Sequence, residues 1–357
     1  MGGKGSKHDK PSPGSLLLLL EARSLQAGSE LTGIIHLRLL QDVRAHSLGL
    51  LFQGWERCQW EETRTEKEAD GTEKTVTDVY RGEYLLVMQK LPIFAFTEGI
   101  LRVGDYSFPF TFLLPTNVPS SFELLQGSTE ARIQYSLTAL IDGLSDDITP
   151  STTTFNISKV MNESIHSVVA SRTAPLSTWC GCVKKGEVHF KVYFHKDAYV
   201  PGEIAECIVE VNNTNSQLNV TGVRGCLFRT VRLYDGKGSS TLLNQLISQT
   251  TTRQLVPSGQ SLLGEQSIRM CLVLSDPGNQ LINTTSANGK LVQCTFHVTV
   301  FVNVQSIGHS PSIAQTVVIY PSQLPVVPAP VVPENWAPQE MPGVYVEGDQ
   351  PSAPPLP

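Results

Sequence analysis

The sequence predicts an all-β protein: two tandem antiparallel β-sandwich domains of immunoglobulin-like type, flanked by disordered termini. Three observations carry that expectation. Apolar residues alternate with polar ones wherever the chain is apolar, so that Val188, Phe190, Val192 and Phe194 share one face while His189, Lys191, Tyr193 and His195 share the other. The period recurs at Ile133, Tyr135, Leu137 and Ala139, at Ala205, Cys207, Val209 and Val211, and at Phe296, Val298, Val300 and Val302. Period two with one buried face specifies antiparallel strands, and no segment sustains an apolar helical period for long. A turn-and-strand motif also occurs twice, once from Ser24 to Arg38 around Gly28 and again from Ala198 to Asn212 around Gly202, with Leu51-Phe52 answered by Leu227-Phe228. A repeat of roughly 170 residues has the size of a domain rather than of a solenoid unit. Finally, 357 residues hold two such domains, each large enough for its own core.

Taken in order, residues 1–13 read as a flexible N-terminal membrane-targeting segment, and the first sandwich is expected over 14–171. Leu16 to Leu20 is an apolar run, shorter than the ~7 to 15 residues of a secretory core and far below the ~18 of a membrane span. It is expected as a doubly buried strand. Glu61 to Tyr80 is dense in charge and has Asp70-Gly71 near its middle. Asp-Gly supplies the positive φ angles of a tight turn, so this stretch is expected to project as a long hairpin with Glu66, Lys67, Asp70 and Gly71 at its tip. Arg172 to Lys185 loses the alternation and contains Pro175, Trp179 and Cys180-Gly-Cys182, which predicts an interdomain linker over 172–185. The second sandwich follows over 186–320. From Pro321 about every third residue is proline and no Lys or Arg remains, so 321–357 is expected to be an extended, acidic, disordered tail.

A formal net charge of −6 and the lack of a basic stripe argue against nucleic acid as a partner, because that affinity rests on Lys and Arg neutralising phosphates. Seven cysteines are an odd number, and Cys207 and Cys294 stand within alternating strands as small apolar residues, which fits a reducing compartment. Five Asn-x-Ser/Thr sequons, at Asn156, Asn162, Asn212, Asn219 and Asn283, point the other way, toward a secreted glycosylated β-sandwich. They matter only with an export signal. The eight histidines are dispersed, and His-Glu-x-x-His, Gly-x-Ser-x-Gly and a phosphate-cradling glycine loop are all missing from the sequence. A non-enzyme without metal or cofactor is expected.

One string is specific: Gly99-Ile-Leu-Arg-Val-Gly104-Asp-Tyr-Ser-Phe-Pro-Phe-Thr-Phe-Leu-Leu-Pro115-Thr-Asn-Val-Pro119-Ser-Ser-Phe122, followed by Tyr135. It resembles the glycine, aromatic-Pro-Phe, Leu-Pro, Pro-Ser-Phe pattern of arrestin-domain proteins. The second half resembles them too, through Gly186-Glu-Val, Tyr199-x-Pro-Gly202-Glu203 and Val211-Asn212-Asn213. The likeness covers about residues 14 to 320 and is nearer to the arrestin-domain-containing (α-arrestin) branch than to the visual and β-arrestins. Phe108, Phe110 and Phe112 alternate with Ser107, Pro109 and Thr111, which puts three rings in the core, and Pro109 confines its strand to an edge or a bulge. The string therefore makes the scaffold and carries no chemistry.

The resemblance implies a cytosolic adaptor, peripheral on plasma membrane and endosomes, whose concave faces and loops engage transmembrane cargo or receptor tails and whose hairpin after the early strands contributes to cargo contact. The alternative for the hairpin is a solvated, charge-solubilised projection. Two departures matter. The first strand, Ser15 to Leu20, lacks the adjacent lysines of phosphate-sensing arrestins, and the nearest match to a ligase-recruiting Pro-Pro-x-Tyr motif is Pro342-Gly343-Val344-Tyr345, where glycine replaces a ring that packs in the WW groove.

At the N-terminus, Met1-Gly2-Gly3-Lys4-Gly5-Ser6 fits the myristoylation pattern with Gly2 as the acylated amine. One acyl chain binds membranes only marginally, and Lys4, Lys7 and Lys10 supply a second attraction of roughly 1 kcal/mol each toward anionic lipid. A plain glycine-lysine leader is the alternative. Cys180 and Cys182 are read as linker cysteines, with palmitoylation as the second reading; a lone Cys-x-Cys is poor zinc evidence. Pro351-Ser352-Ala353-Pro354 resembles the peptides captured by the ubiquitin-E2-variant domain of the first endosomal sorting complex (ESCRT-I), against the alternative of low complexity. Within binding proteins the rival is a retromer-type cargo-recognition subunit, which shares the two-sandwich plan.

Overall fold

A computed structural model of the chain describes residues 12–68, 72–96, 98–143, 148–159, 165–178, 181–275, 285–320 and 334–346. In the first half the strands are β1 Gly14–Leu20, β2 Ser24–Gln26, β3 Glu30–Leu39, β4 Val43–Arg44, β5 Ser47–Lys67, β6 Glu73–Ala95, β7 Ile100–Leu101, β8 Gly104–Leu113, β9 Phe122–Gln126, β10 Thr129–Asp142 and β11 Ser151–Ser158. The second half has β12 Val168–Thr178, β13 Val183–Phe194, β14 Ala198–Tyr199, β15 Ile204–Asn212, β16 Val220–Tyr234, β17 Ser240–Thr252, β18 Ser261–Leu262, β19 Ile268–Val273, β20 Ala287–Asn288, β21 Val292–Val304 and β22 Ser312–Ile319. Two short strands, β23 Gln339–Glu340 and β24 Val344–Val346, come after them.

The duplication read from two glycine turns extends to the whole topology. One sheet runs β2-β11-β10-β5-β6 in the first half and β14-β22-β21-β16-β17 in the second, each with a single short parallel pair, β2 on β11 and β14 on β22. The facing sheet runs β1-β3-β8 and β13-β15-β19. Gly28 and Gly202 have φ of 79° and 87°, the left-handed turn that both copies need before β3 and β15. The echo of Leu51-Phe52 in Leu227-Phe228 is offset by one residue, however: Phe52 is buried in its strand whereas Leu227 is the buried member in the other, and a bulge lies between Leu227 and Phe228.

Alternation places the cores where it should. Phe108, Phe110 and Phe112 are buried against Leu31, Ile35 and Phe52, whose ring lies 5.3 Å from that of Phe112 and stacks on Tyr135 at 6.1 Å. Tyr135 is fully buried and still satisfied, because its hydroxyl donates to the Pro119 carbonyl at 2.7 Å. Tyr135→Phe is expected to cost about 1–2 kcal/mol, since it strips a buried carbonyl of its donor without opening a cavity; urea unfolding measures it. In the second sandwich Val188, Phe190, Val192 and Phe194 lie beside Val209 and Val211 of the same sheet and share the core with Phe296, Val298 and Val300 of the other.

Three expectations need correction. The segment 172–185 is no linker: Val168 to Thr178 pairs with Val183 to Phe194 as an antiparallel hairpin within the second sandwich, with the register shifting at Pro175, the residue that cannot donate to the ladder. The crossing between domains therefore falls earlier, between Ser158 and Val168. Leu16 to Leu20 forms β1, but only Leu18 and Leu20 are buried, while Leu17 and Leu19 lie half-exposed on the outer face of a strand paired with β3 alone. The tail is also not uniformly extended and unpaired, since β23 and β24 run parallel to β8 with Gln339 against Tyr106, Glu340 against Ser107, and Val344 to Val346 against Phe110 to Phe112. The expectation that Pro109 sits on an edge holds within the sandwich, where β8 is paired on one side by β3 and left open on the other until the tail arrives.

Candidate functional site

The two sandwiches meet at an acid. On β5 the buried positions are the even ones, Leu48, Leu50, Phe52, Cys58 and Trp60, and Glu56 falls on the same face with no exposed surface. Its carboxylate reaches the second domain and accepts backbone N–H bonds from Lys290 (2.8 Å), Leu291 (2.5 Å) and Val292 (3.1 Å) at the turn between β20 and β21. A Cβ on Gly289 would collide with this carboxylate, so the turn needs glycine there. Burial raises the Glu56 pKa and the three N–H donors pull against that shift. Nearby, the Cys58 thiol donates to the Tyr234 carbonyl at 3.1 Å, and burial pushes this thiol up to about 11, far from a reactive thiolate.

Outside this contact, the solvent face of β10, β5 and β6 forms a groove of about 840 Å³ that reaches Asp235 and Lys237 of the second domain. Its floor carries Trp55, Arg57, Arg81 and Arg132. Each guanidinium is already engaged: Arg57 with Glu83 at 2.8 Å and above the Trp55 ring at 5.4 Å, Arg81 with Gln59 at 2.8 Å, and Arg132 with Glu123 at 3.2 Å. Backbone N–H groups of Lys237 and Ser239 fold onto Asp235 and lower its pKa. Planar donors tethered to acceptors, beside a half-buried indole, suit a polar extended peptide better than a dense polyanion.

The expected hairpin projects past the sandwich. Beyond Trp60, which is buried and stacked on Tyr80 at 5.2 Å, β5 and β6 stay in register as far as Lys67 opposite Glu73. Glu66 and Lys67 are exposed and ion-paired, Glu66 with Arg64 along its own strand at 3.0 Å and Lys67 with Glu73 across to β6 at 3.8 Å, while Arg64 also crosses to Asp78 at 3.2 Å. Asp70 and Gly71 lie outside the described residues, as do Gly2, Lys4, Lys7, Lys10, Cys180, Pro351, Ser352, Ala353 and Pro354. Cys182 is exposed and unpaired by disulfide. Among the described residues no His, Cys, Asp and Glu cluster has metal-binding geometry, and no helix is long and apolar enough to cross a membrane.

Sequence reading missed Glu56, although the signal was present: an acid at a buried-parity position of an otherwise apolar alternation requires a partner. It also missed the docked tail, where Trp336, Met341, Val344 and Val346 interrupt the proline-rich composition and, with Pro338, are the half-buried side chains.

Two like sandwiches, joined through a buried carboxylate and sharing a peptide-sized groove, make a two-lobed binding scaffold. The family description "Arrestin (or S-antigen), N-terminal domain" matches residues 21–164, and "Arrestin (or S-antigen), C-terminal domain" matches 184–324. Among curated proteins, arrestin domain-containing protein A of Dictyostelium discoideum is 28% identical over 202 residues, which covers 55% of this chain and 34% of that protein. The match thus spans about a third of that relative's length. The chain belongs to the arrestin-domain-containing family.

Proposed function

We propose that this protein is a cytosolic adaptor that links tails of transmembrane cargo to endocytic and endosomal sorting. The observation that carries the reading is the shared groove: a surface of peptide dimensions built from both lobes of an arrestin-type scaffold. Cargo tails lie along its arginine-and-indole floor, and the exposed ion-paired hairpin adds contact at one end. The N-terminus supplies the membrane address, Gly2 carrying myristate and Lys4, Lys7 and Lys10 the charge toward anionic lipid. The far end supplies the machinery address, Pro351-Ser352-Ala353-Pro354 docking as an extended peptide on the ubiquitin-E2-variant domain of ESCRT-I.

Two independent measurements test the addresses. Gly2→Ala is expected to move the protein from the membrane to the soluble fraction; full retention at the membrane rejects acylation as the anchor. Pro351→Ala with Pro354→Ala is expected to abolish capture of the full-length protein by the isolated ubiquitin-E2-variant domain, and unchanged capture rejects that link. For the groove, Arg57→Glu with Arg81→Glu should remove cargo-tail binding while leaving membrane association intact.

A further inference from the structure

The N-terminal segment joins the fold beside an exposed apolar cluster. β1 opens at Gly14 opposite Leu39, and one residue earlier the Pro13 carbonyl accepts the Leu40 N–H at 2.8 Å. On the other side of β3, Leu39 stands opposite Gly104, so Leu40 and Val103 leave the ladder between β3 and β8 as neighbours. Neither is buried: Leu40 is 68% exposed and Val103 58%. Ile100, 39% exposed, lies on β7 across from Arg44. Three branched aliphatic side chains thus crown the end of the first sandwich at which residues 1–11 attach.

Hydrogen bonds brace this cluster. The Asp42 carboxylate ties its two loops together, accepting from Arg102 Nη1 at 2.9 Å and from the Val103 N–H at 2.8 Å. The Val103 amide and then the guanidinium hold that carboxyl below the usual carboxylate range. The Ala45 N–H reaches the Gly99 carbonyl at 3.2 Å, and the Tyr106 hydroxyl donates to the Arg102 carbonyl at 3.0 Å. Side chains presented on a braced loop pair lose little freedom on docking. Charge around the cluster leans basic. Asp42 is paired with Arg102, which also faces Glu98, while Arg44 is exposed and has no ion-pair partner among the described residues. The leader adds Lys4, Lys7 and Lys10 against Asp9.

We propose that Leu40, Ile100 and Val103 form a membrane-insertion surface that enters the headgroup region of an anionic bilayer next to the N-terminal anchor. The inference rests on the reading of Gly2 as an acylated membrane address, and adds to it a second contact and an orientation. From Gly2 to Ser12 an extended chain reaches no more than ~36 Å, so an acyl chain in the bilayer keeps this end of the sandwich at the lipid surface. A single acyl chain binds only marginally. Three aliphatic side chains entering beside it, with Arg44 and the leader lysines over anionic headgroups, supply what it lacks. Lipid is favoured over a partner protein because the anchor delivers the bilayer to this cluster, and because its surroundings are basic in a chain of net charge −6.

The test uses the full-length chain on vesicles of phosphatidylcholine and phosphatidylserine. The chain is attached in two ways, by enzymatic myristoylation of Gly2 and, independently of acylation, by an N-terminal hexahistidine on nickel-chelating lipid. Leu40→Trp and, in a second variant, Val103→Trp place an indole in the surface, and Met88→Trp places one at a comparably exposed position on β6. With brominated acyl chains in the vesicles, the first two should be quenched beyond the unaltered chain, whose own tryptophans set the background, and the third should not. Leu40→Asp with Val103→Asp should weaken partition of the myristoylated chain at least ~tenfold, because charged side chains forfeit the apolar transfer, whereas Met88→Asp should leave it unchanged. All five positions of substitution are exposed on the folded chain, and matching urea transitions check that folding is retained. The proposal fails if neither indole is quenched on either tether, which would leave the cluster to a partner protein, or if the double aspartate partitions like the parent. A myristoylated chain that does not bind vesicles at all rejects the Gly2 reading instead, while quenching on the nickel-lipid tether still decides this one.

Discussion

Glu56→Ala is expected to lower the unfolding free energy by about 3–5 kcal/mol and to uncouple the two sandwiches. The substitution strips the N–H groups of Lys290, Leu291 and Val292, the last two buried, of the carboxylate that accepts from them across the two lobes. A single cooperative urea transition should split into two, and amide exchange at 290–292 should accelerate. Glu56→Gln keeps one acceptor oxygen and the shape of the side chain, so it should stay within about 1–2 kcal/mol of the parent. The acid also sets a pH slope. Its folded pKa is raised above the ordinary 4.5, so the folded state binds the proton more tightly than the unfolded chain does. Its contribution is therefore most favourable below pH 4.5 and is lost as pH rises through the folded value, flattening above it. The glutamine variant should lack that slope when unfolding is followed across the same pH range.

Asn213→Asp is the second large effect. Asn213 is completely buried, and its amide donates to the carbonyls of Leu218 (2.8 Å), Val256 (3.1 Å) and Pro257 (3.1 Å), closing the loop that leaves β15 onto the segment after β17. An aspartate of the same shape faces three carbonyl oxygens with a charge and no donor. Leaving a buried charge unpaired costs about 3–5 kcal/mol, and thermal unfolding at neutral pH should show the loss. Because only the protonated acid can donate there, the deficit should shrink as pH falls. A surface change on the same loop, Thr214→Ala, should be nearly silent by comparison.

The scaffold was legible because its signals are local and redundant. Period two in segments such as Val188 to Phe194 fixes which side chains are buried, and the copies around Gly28 and Gly202 reveal the duplication that the sheet orders then repeat. The hairpin could be read because Thr63, Glu66 and Lys67 carry no apolar face to bury, yet they pair in register with Thr77, Lys74 and Glu73. The linker was misjudged because Pro175 and the Cys-Gly-Cys triplet look like punctuation, although a bulge absorbs the proline within a long hairpin. Tail docking lay beyond local reasoning altogether. Only three dimensions bring Trp336 to Arg38, nearly three hundred residues upstream, and a proline-rich background masks five paired residues. The candidate groove was harder still, since it arises from outward-facing side chains whose polarity reads as ordinary surface.

The grip of Glu56 on main-chain N–H groups has a consequence for how the joint tolerates change over generations. A clasp that reads amides is blind to the side chains it passes, so the exposed Lys290 can drift in identity without loosening the two lobes, while Leu291 and Val292 are constrained by their own burial rather than by the clasp. The exceptions are residues that alter the backbone itself: a proline at any of the three, or anything larger than hydrogen at 289.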